Sequence, residues 1–477
     1  MTLSLAQRAT KSALFIAELA TLAWLFATED LSQVGLSVLI MVGAIAVGVL
    51  IFLAWPIGCV IVLAVAAAMS RVDFKVVSLH VRPEHLATGI AILAIAFQFL
   101  RGKLSLKLHL RSFDYWLIAF VGMNFFSSAV TSPQPSMTLR WACLSALAVI
   151  PYFLMRYFVN DHDSVWLTVH ALLWIGVIEA VYGTIASISN HVWGTTWGIE
   201  VGQYGSVPGT YGTQFEANLF GAYTASTAIM CLAFFSISKQ GKRSWYAWGL
   251  VFGLVAAVFS LARSAILAVP IPVFVLIWLS AKKGHLQIRR LIPVAIALGL
   301  LFAALSPFMI DYIEERFSSL DLSDISTDDT TVGRLIQLEA AAEHVWANPI
   351  LGTGTASFQL LYSRSEYLGI DIPDDEGGGW ISNTTLRVLH DTGVVGLCFF
   401  LMFLATLARS TYKAAQIANH PTRVSIIALS MGLLLYAITF QATEATMLTF
   451  TWIHFGVLAA AVCVTLERRE HLESTAQ

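Results

Sequence analysis

A few side chains at the ends of long apolar runs carry charge or chemistry where charge is costly. Arg140 opens the run at 139–158. Glu216 and Asn218 open the run at 215–237, within the string Gly209-Thr-Tyr-Gly-Thr-Gln-Phe-Glu-Ala-Asn. Arg263 sits between the runs at 244–261 and 262–279, and Glu444 lies in the short turn before the last run. Arg334 falls in a hydrophilic stretch. A guanidinium pairs bidentately with phosphate oxygens, so three arginines gathered on one face imply an anion site. An arginine at a span end can also snorkel to lipid headgroups; Arg263, in a turn with no room to spare, fits that reading least. His390 and Asp391 lie inside an apolar run, as a proton-transfer pair or as a hydrogen-bonded imidazole within a helix.

The elements that must position these groups are membrane spans. Of 477 residues, 57% are hydrophobic and 12% charged, against about 25% charged in soluble domains. Runs long enough to span fall at 14–28, 34–55, 57–70, 86–100, 113–131, 139–158, 164–187, 215–237, 244–261, 262–279, 289–307, 385–408, 423–441 and 447–466. The expected fold is an all-α polytopic membrane protein of about 14 spans (range 12–14), with short helices in one large periplasmic loop. The chain divides into an N-terminal bundle (1–204), a core (205–410) and C-terminal helices (411–477).

Lys and Arg concentrate in loops assigned to the cytoplasm, among them Arg101 to Arg111, Lys239 to Arg243, Lys282 to Arg290 and Arg409 to Arg423. Both termini are then cytoplasmic, and the edge groups above fall on the periplasmic face of a bacterial inner membrane. Loop 71–85, with Arg71, Lys75 and Arg82, is the exception. The first run contains Glu18 and lacks a small-residue cleavage site, unlike a signal peptide.

Loop 308–384 is too long for a simple connection and strongly acidic. Thr331 to Ala347 reads as a helix stopped by Asn348-Pro349, with Leu335, Leu338, Ala342 and Val345 on one face. That helix could lie on the membrane surface. Asp371, Asp374, Asp375 and Glu376 have the chemistry to bind a divalent cation but read first as a solvated acidic patch, and Gly352-Thr-Gly354 reads as a turn without a Walker lysine. Trp193, Trp197 and Trp380 are interface anchors or sugar-stacking platforms. Five cysteines, all within apolar runs, predict no disulfide and no zinc site, and a net charge of −2 argues against nucleic acid.

Four stretches resemble the O-antigen ligase/polymerase superfamily, which assembles bacterial surface polysaccharides. The string from Gly209 to Gly221 is similar to its G-T-F-x-x-x-N stretch, and Ala262-Arg-Ser-Ala265 to its S-R-[ST]-[AG] turn. Gly333-Arg334 with Pro349-Ile-Leu-Gly-Thr-Gly-Thr-Ala-Ser-Phe358 resembles its second arginine and the following P-x-x-G-x-G-x-x-x-F. Ser382-Asn383, then nine residues and Gly393, resembles its H-[NSQ]-x(9)-G motif, with Ser382 in place of the histidine.

The resemblance implies a GT-C-like, metal-independent glycosyltransferase without cofactor. Its donor and acceptor would be undecaprenyl-pyrophosphate-linked glycans; membrane lipids and a chain-length regulator are further expected partners. In this reading Arg263 and Arg334 neutralise pyrophosphate and Arg140 assists. Glu216, held by Asn218, takes the hydroxyl proton, with Glu444 and His390 as the next candidates. Ser382 and Asn383 join Arg140, Asn218, Glu444 and His390 as substrate-binding positions. Serine is a poor base, so the departure at Ser382 ranks repeat-unit polymerase above O-antigen ligase or protein O-glycosyltransferase. A lipid-linked oligosaccharide flippase is the alternative from another class, disfavoured because no internal repeat is evident.

Overall fold

The computed structural model describes residues 56–72, 74–76, 79–100, 108–202, 205–237, 243–282, 329–361 and 380–475. The runs expected at 14–28, 34–55 and 289–307 lie outside them, as do the acidic residues Asp371 to Glu376 and much of loop 308–384. The described chain opens with α1 (Pro56–Ala68), a hairpin of β1 (Phe74–Val76) and β2 (Leu79–Val81), and α2 (Pro83–Leu100). Helices α3 (Ser112–Val130), α4 (Pro135–Phe158) and α5 (His162–Trp193) follow, then a second hairpin, β3 (Ile199–Gly202) and β4 (Gly205–Thr210). Next come α6 (Ala217–Ile237), α7 (Arg243–Phe259), α8 (Arg263–Ala268) and α9 (Pro270–Lys282). Beyond them lie α10 (Asp329–Val345), α11 (Ser357–Leu361), α12 (Thr384–Ile417), α13 (His420–Thr439) and α14 (Thr449–Thr475).

Among the described residues seven helices are long and apolar enough to cross a membrane: α3, α4, α5, α6, α12, α13 and the Thr449–Glu470 part of α14. Their bounds follow the expected runs closely, because a span needs about 20 apolar residues and the sequence supplies them. The runs at 57–70, 244–261 and 262–279 form shorter apolar helices. The two small antiparallel hairpins are an addition to the all-α expectation.

Local chemistry fixes several helix starts. Asp161 Oδ1 accepts from Ser164 N at 2.7 Å to cap α5, and Asn419 caps α13 through Thr422 N at 3.0 Å. Helix α6 is the axis of the bundle: every residue from Ala217 to Ser236 is buried, against α7, α13 and α5. Small residues allow the close approach. A Cβ on Gly253 of α7 would stand 2.8 Å from Thr224 O of α6.

Helix α12 is broken at Gly393, where φ is 65° and ψ is −171°. The segment 349–354 fills the break: Thr353 N donates to His390 O and Gly354 N to Asp391 O, each at 3.0 Å, and Val394 N donates to Pro349 O at 2.9 Å. The Gly352-Thr-Gly354 stretch therefore does more than turn the chain. It supplies partners to backbone groups that the break would leave orphaned.

Candidate functional site

The groups singled out by their position at span ends gather at one end of the bundle. The organising piece is the turn 440–446 between α13 and α14. Arg334, from the first turns of α10, donates Nη1 to Ala442 O at 3.2 Å. Thr443 donates Oγ1 to Glu216 Oε1 at 2.9 Å, just ahead of α6. A cation and a carboxylate from distant stretches are thus tied to adjacent residues of one turn. Burial holds the Glu216 carboxyl above the ordinary carboxylate range, against hydrogen bonds from Thr443 and Asn218 and the charge of Arg334.

Asn383 belongs to the same cluster through its backbone role. Its Oδ1 accepts from Leu386 N at 2.8 Å, capping α12, while Nδ2 donates to Gln441 O at 2.9 Å. Ser382 N donates to Gln337 Oε1 of α10 at 3.1 Å. These bonds dock the start of α12 onto both α10 and the 440–446 turn.

Arg263 opens α8 at this end, after a turn in which Leu261 adopts φ 55°. Ser260 steadies the turn, accepting from Ala262 N at 3.2 Å and donating to Ala257 O at 2.6 Å. The turn lies against Gly221 of α6, where a Cβ would stand 2.3 Å from Ser260 Oγ. Arg140 is exposed at the start of α4. Its neighbour Trp141 meets Trp380 edge to face with centroids 5.0 Å apart, and Trp380 lies under the Arg387 guanidinium at 4.4 Å. Trp380 is therefore a packing residue, whereas Trp193 is 72% exposed.

Beneath the turn lies a buried ionic network. Arg387 of α12 pairs with Glu444 and, through Nε at 3.4 Å, with Asp391. Asp391 Oδ1 is 3.0 Å from His390 Nδ1, and its Oδ2 accepts from Ala356 N at 2.8 Å. His390 Nε2 is 2.9 Å from Nδ1 of His344 on α10. Glu444 and His390 are thus engaged inside the protein, and His390 is fully buried. Sequence reasoning passed over Arg387 and His344. The i,i+4 spacing of Arg387 and Asp391 was the available signal; His344 carries none, because its partner comes from another helix.

One further correction and one refinement concern elements. Helix α10 does not present the expected face. Val345 is buried and Leu338 packs inward, but Leu335 is 51% exposed, and Gln337 and Ala341 take the inner positions against α12. The contacts with α12, rather than the apolar pattern alone, set its rotation. The second concerns loop 71–85, whose cations ran against the loop-charge rule. The structure carries them to the site end: Arg71 donates Nη1 to Phe215 O at 3.0 Å and lies 3.7 Å over the Tyr211 ring, and Arg82 lies 5.0 Å over Phe215. Arg71 and Arg82 thus brace the 209–216 string, and Arg82 also lies 3.9 Å from Glu84. Glu179 of α5, also missed, holds that string from below, accepting from Thr213 N at 2.6 Å and Thr213 Oγ1 at 2.9 Å.

Residues 248–401 match a family model described as O-antigen ligase (Wzy_C). The match supports the O-antigen ligase/polymerase superfamily for this chain, a class of glycosyltransferase-like membrane enzymes. It covers Arg263, Arg334, Ser382, Asn383 and His390, while Glu216 and Glu444 come from outside it. No curated protein sequence matches the chain.

Proposed function

We propose that the protein transfers a glycan from a polyprenyl-pyrophosphate carrier to a sugar hydroxyl, polymerising lipid-linked repeats on the periplasmic face of the inner membrane. The observation that carries this reading is the joining of Arg334 and Glu216 at the 440–446 turn. Arg334, with Arg263 at the same end, neutralises pyrophosphate as it leaves, an electrostatic contribution that needs donors fixed in advance. Arg140, exposed beside Trp141, steadies the lipid-linked substrate near the membrane surface. Glu216 takes the proton of the attacking hydroxyl. A carboxyl raised by burial is a stronger base than an ordinary one, and it is held in place by Thr443 and Asn218. Ser382 and Asn383 shape the rim of the site and dock α12.

Ser382, in place of the motif histidine, favours polymerisation over ligation, while the matching family is that of O-antigen ligases. The acceptor separates the two: a polymerase elongates on a second lipid-linked repeat, and a ligase delivers to a different lipid or protein. In cells, Arg263→Ala and Arg334→Ala should each cut long-chain polysaccharide about 10²–10³-fold, while single lipid-linked repeats still reach the outer leaflet. Repeats held on the cytoplasmic leaflet would instead establish a flippase.

A further inference from the structure

The segment that fills the break in α12 lies lower in the bundle than a connection between spans needs to. Span α3 has 19 residues, enough at about 1.5 Å each to cross a hydrocarbon core of about 30 Å. Its Arg111 end pairs with Glu470 of α14, and its Val130 end lies on the candidate-site side. Thr355 Oγ1 donates to Asn124 Oδ1 of α3 at 3.0 Å, and Thr355 N to Ser128 Oγ at 3.0 Å. Asn124 precedes Val130 by six residues, so Thr355 reaches about 9 Å below the end of the span. Helix α10 leads down to this level. Its Gln337 Oε1 accepts from Ser382 N at 3.1 Å, and its His344 Nδ1 stands 2.9 Å from His390 Nε2. The two pairs advance together along both chains, so α10 descends beside the first turns of α12.

Irregular backbone is tolerated at membrane depth only where protein satisfies its polar groups. The amides from Gly352 to Ala356 all meet that condition. Gly352 N donates to Asn348 O at 2.9 Å, Thr353 N to His390 O and Gly354 N to Asp391 O at 3.0 Å each. Thr355 N is held by Ser128, and Ala356 N donates to Asp391 Oδ2 at 2.8 Å. The sequence agrees with this depth: no Asp, Glu, Lys or Arg occurs between Glu343 and Arg364. The side chains divide in the same way. Thr353, Thr355 and Phe358 are buried, whereas Trp346 is 79% and Ile350 65% exposed. Ile350 O accepts from Val395 N at 3.2 Å, which places Ile350 beside Val394, an exposed residue of span α12. Phe126 and Val130, on the outer turns of α3, are exposed as well. Apolar side chains on the outside of a span face lipid, and Ile350 continues their band.

We infer that α10, the 349–356 segment and α11 form a re-entrant hairpin that dips into the bilayer leaflet on the candidate-site side, with Trp346 and Ile350 against its lipids. Trp346 takes the interfacial level that indole rings favour. Ile350 lies deeper, among acyl chains. Glu339 and Glu343, exposed on α10 before Trp346, stay at or above the headgroups. The long loop is therefore not a wholly aqueous excursion: one part of it is built into the membrane. The anchored end also sets the height of Arg334, which lies about 18 Å back along α10 from Trp346.

The inference is independent of what the protein transfers, and its test needs no turnover. Single cysteines replace Glu339, Trp346 and Ile350 in the full-length chain, with the exposed Cys143 and Cys398 changed to alanine. All three positions are exposed, so these variants keep the packing of α10. Each is labelled with a nitroxide in nanodiscs of phosphatidylcholine and phosphatidylglycerol. Power saturation then compares collisions with oxygen, which concentrates among acyl chains, and with a water-soluble nickel chelate. Oxygen should exceed the chelate severalfold at Ile350→Cys, the reverse should hold at Glu339→Cys, and Trp346→Cys should fall between them. Chelate collisions dominating at Ile350→Cys would make the segment an aqueous loop and overturn the hairpin. Low collision rates with both reagents at Ile350→Cys would mean that protein covers the position, and would overturn lipid as its occupant.

Discussion

Glu216 and Arg334 answer to opposite demands at the same turn. Arg334 needs to stay charged and open to an incoming anion, and its bond to Ala442 O uses one donor of the five on a guanidinium. Glu216 needs to accept a proton, and burial raises its carboxyl towards that end. The sign follows directly: a base works in its ionised form, so transfer should fall as pH drops through the raised Glu216 value. That acid limb should lie above the ordinary carboxylate range. Glu216→Gln should remove the limb and lower the rate about 10²–10⁴-fold, measured as elongation of a lipid-linked repeat over pH 4–8. Normal chain length in Glu216→Gln would discard the base assignment. Arg334→Lys should restore little, because an ammonium cannot reproduce bidentate pairing.

The element that links chemistry to architecture is α12. Its first turns dock on α10 and on the 440–446 turn, its break at Gly393 admits the 349–354 segment, and its apolar remainder crosses the bundle. Gly393 is required twice over. Its φ of 65° is unfavourable for side chains, and a Cβ would stand 2.2 Å from Ile350 O. Gly393→Ala should therefore expel the 349–354 segment and cost activity without loss of α3 or α6. The check is Thr353→Cys, at a position buried in the segment, which should gain thiol reactivity severalfold in the variant. At the start of the helix, Asn383→Ala removes both the cap and the bond to Gln441 O. The cap alone is worth about 1 kcal/mol, so the expected result is a lower melting temperature with residual transfer, rather than abolished chemistry.

Across the whole molecule, polar contacts collect at both ends of the bundle. Opposite the candidate site, Asp114 of α3 accepts from Arg156 Nη2 at 2.8 Å and from Tyr152 OH at 2.7 Å, and is fully buried. Arg111 reaches α14 through Glu470 at 2.7 Å. These pairs fasten α3, α4 and α14 far from the turn that holds Arg334. Removing one partner of a buried pair strands the other, at about 3–5 kcal/mol. Arg156→Ala should thus lower the unfolding midpoint in detergent more than Arg334→Ala does. An unchanged midpoint in Arg156→Ala would show that Asp114 finds another partner.

The sequence by itself located the seven spans found among the described residues, because twenty apolar residues in a row have few other uses, and it marked Arg263, Arg334, Glu216 and Asn383 by charge or motif. It could not determine the inner face of α10, since Gln337 and Ala341 are selected by contact with α12 and not by hydrophobicity. Nor could it reveal the work of Arg71, Glu179, Arg387 and His344. Each is satisfied by a partner on another element or, for Arg387, partly by Glu444 far along the chain. Buried charge must find its partner in space, and only the tertiary structure decided that Arg334 and Glu216 meet at one turn, with a charge network beneath them.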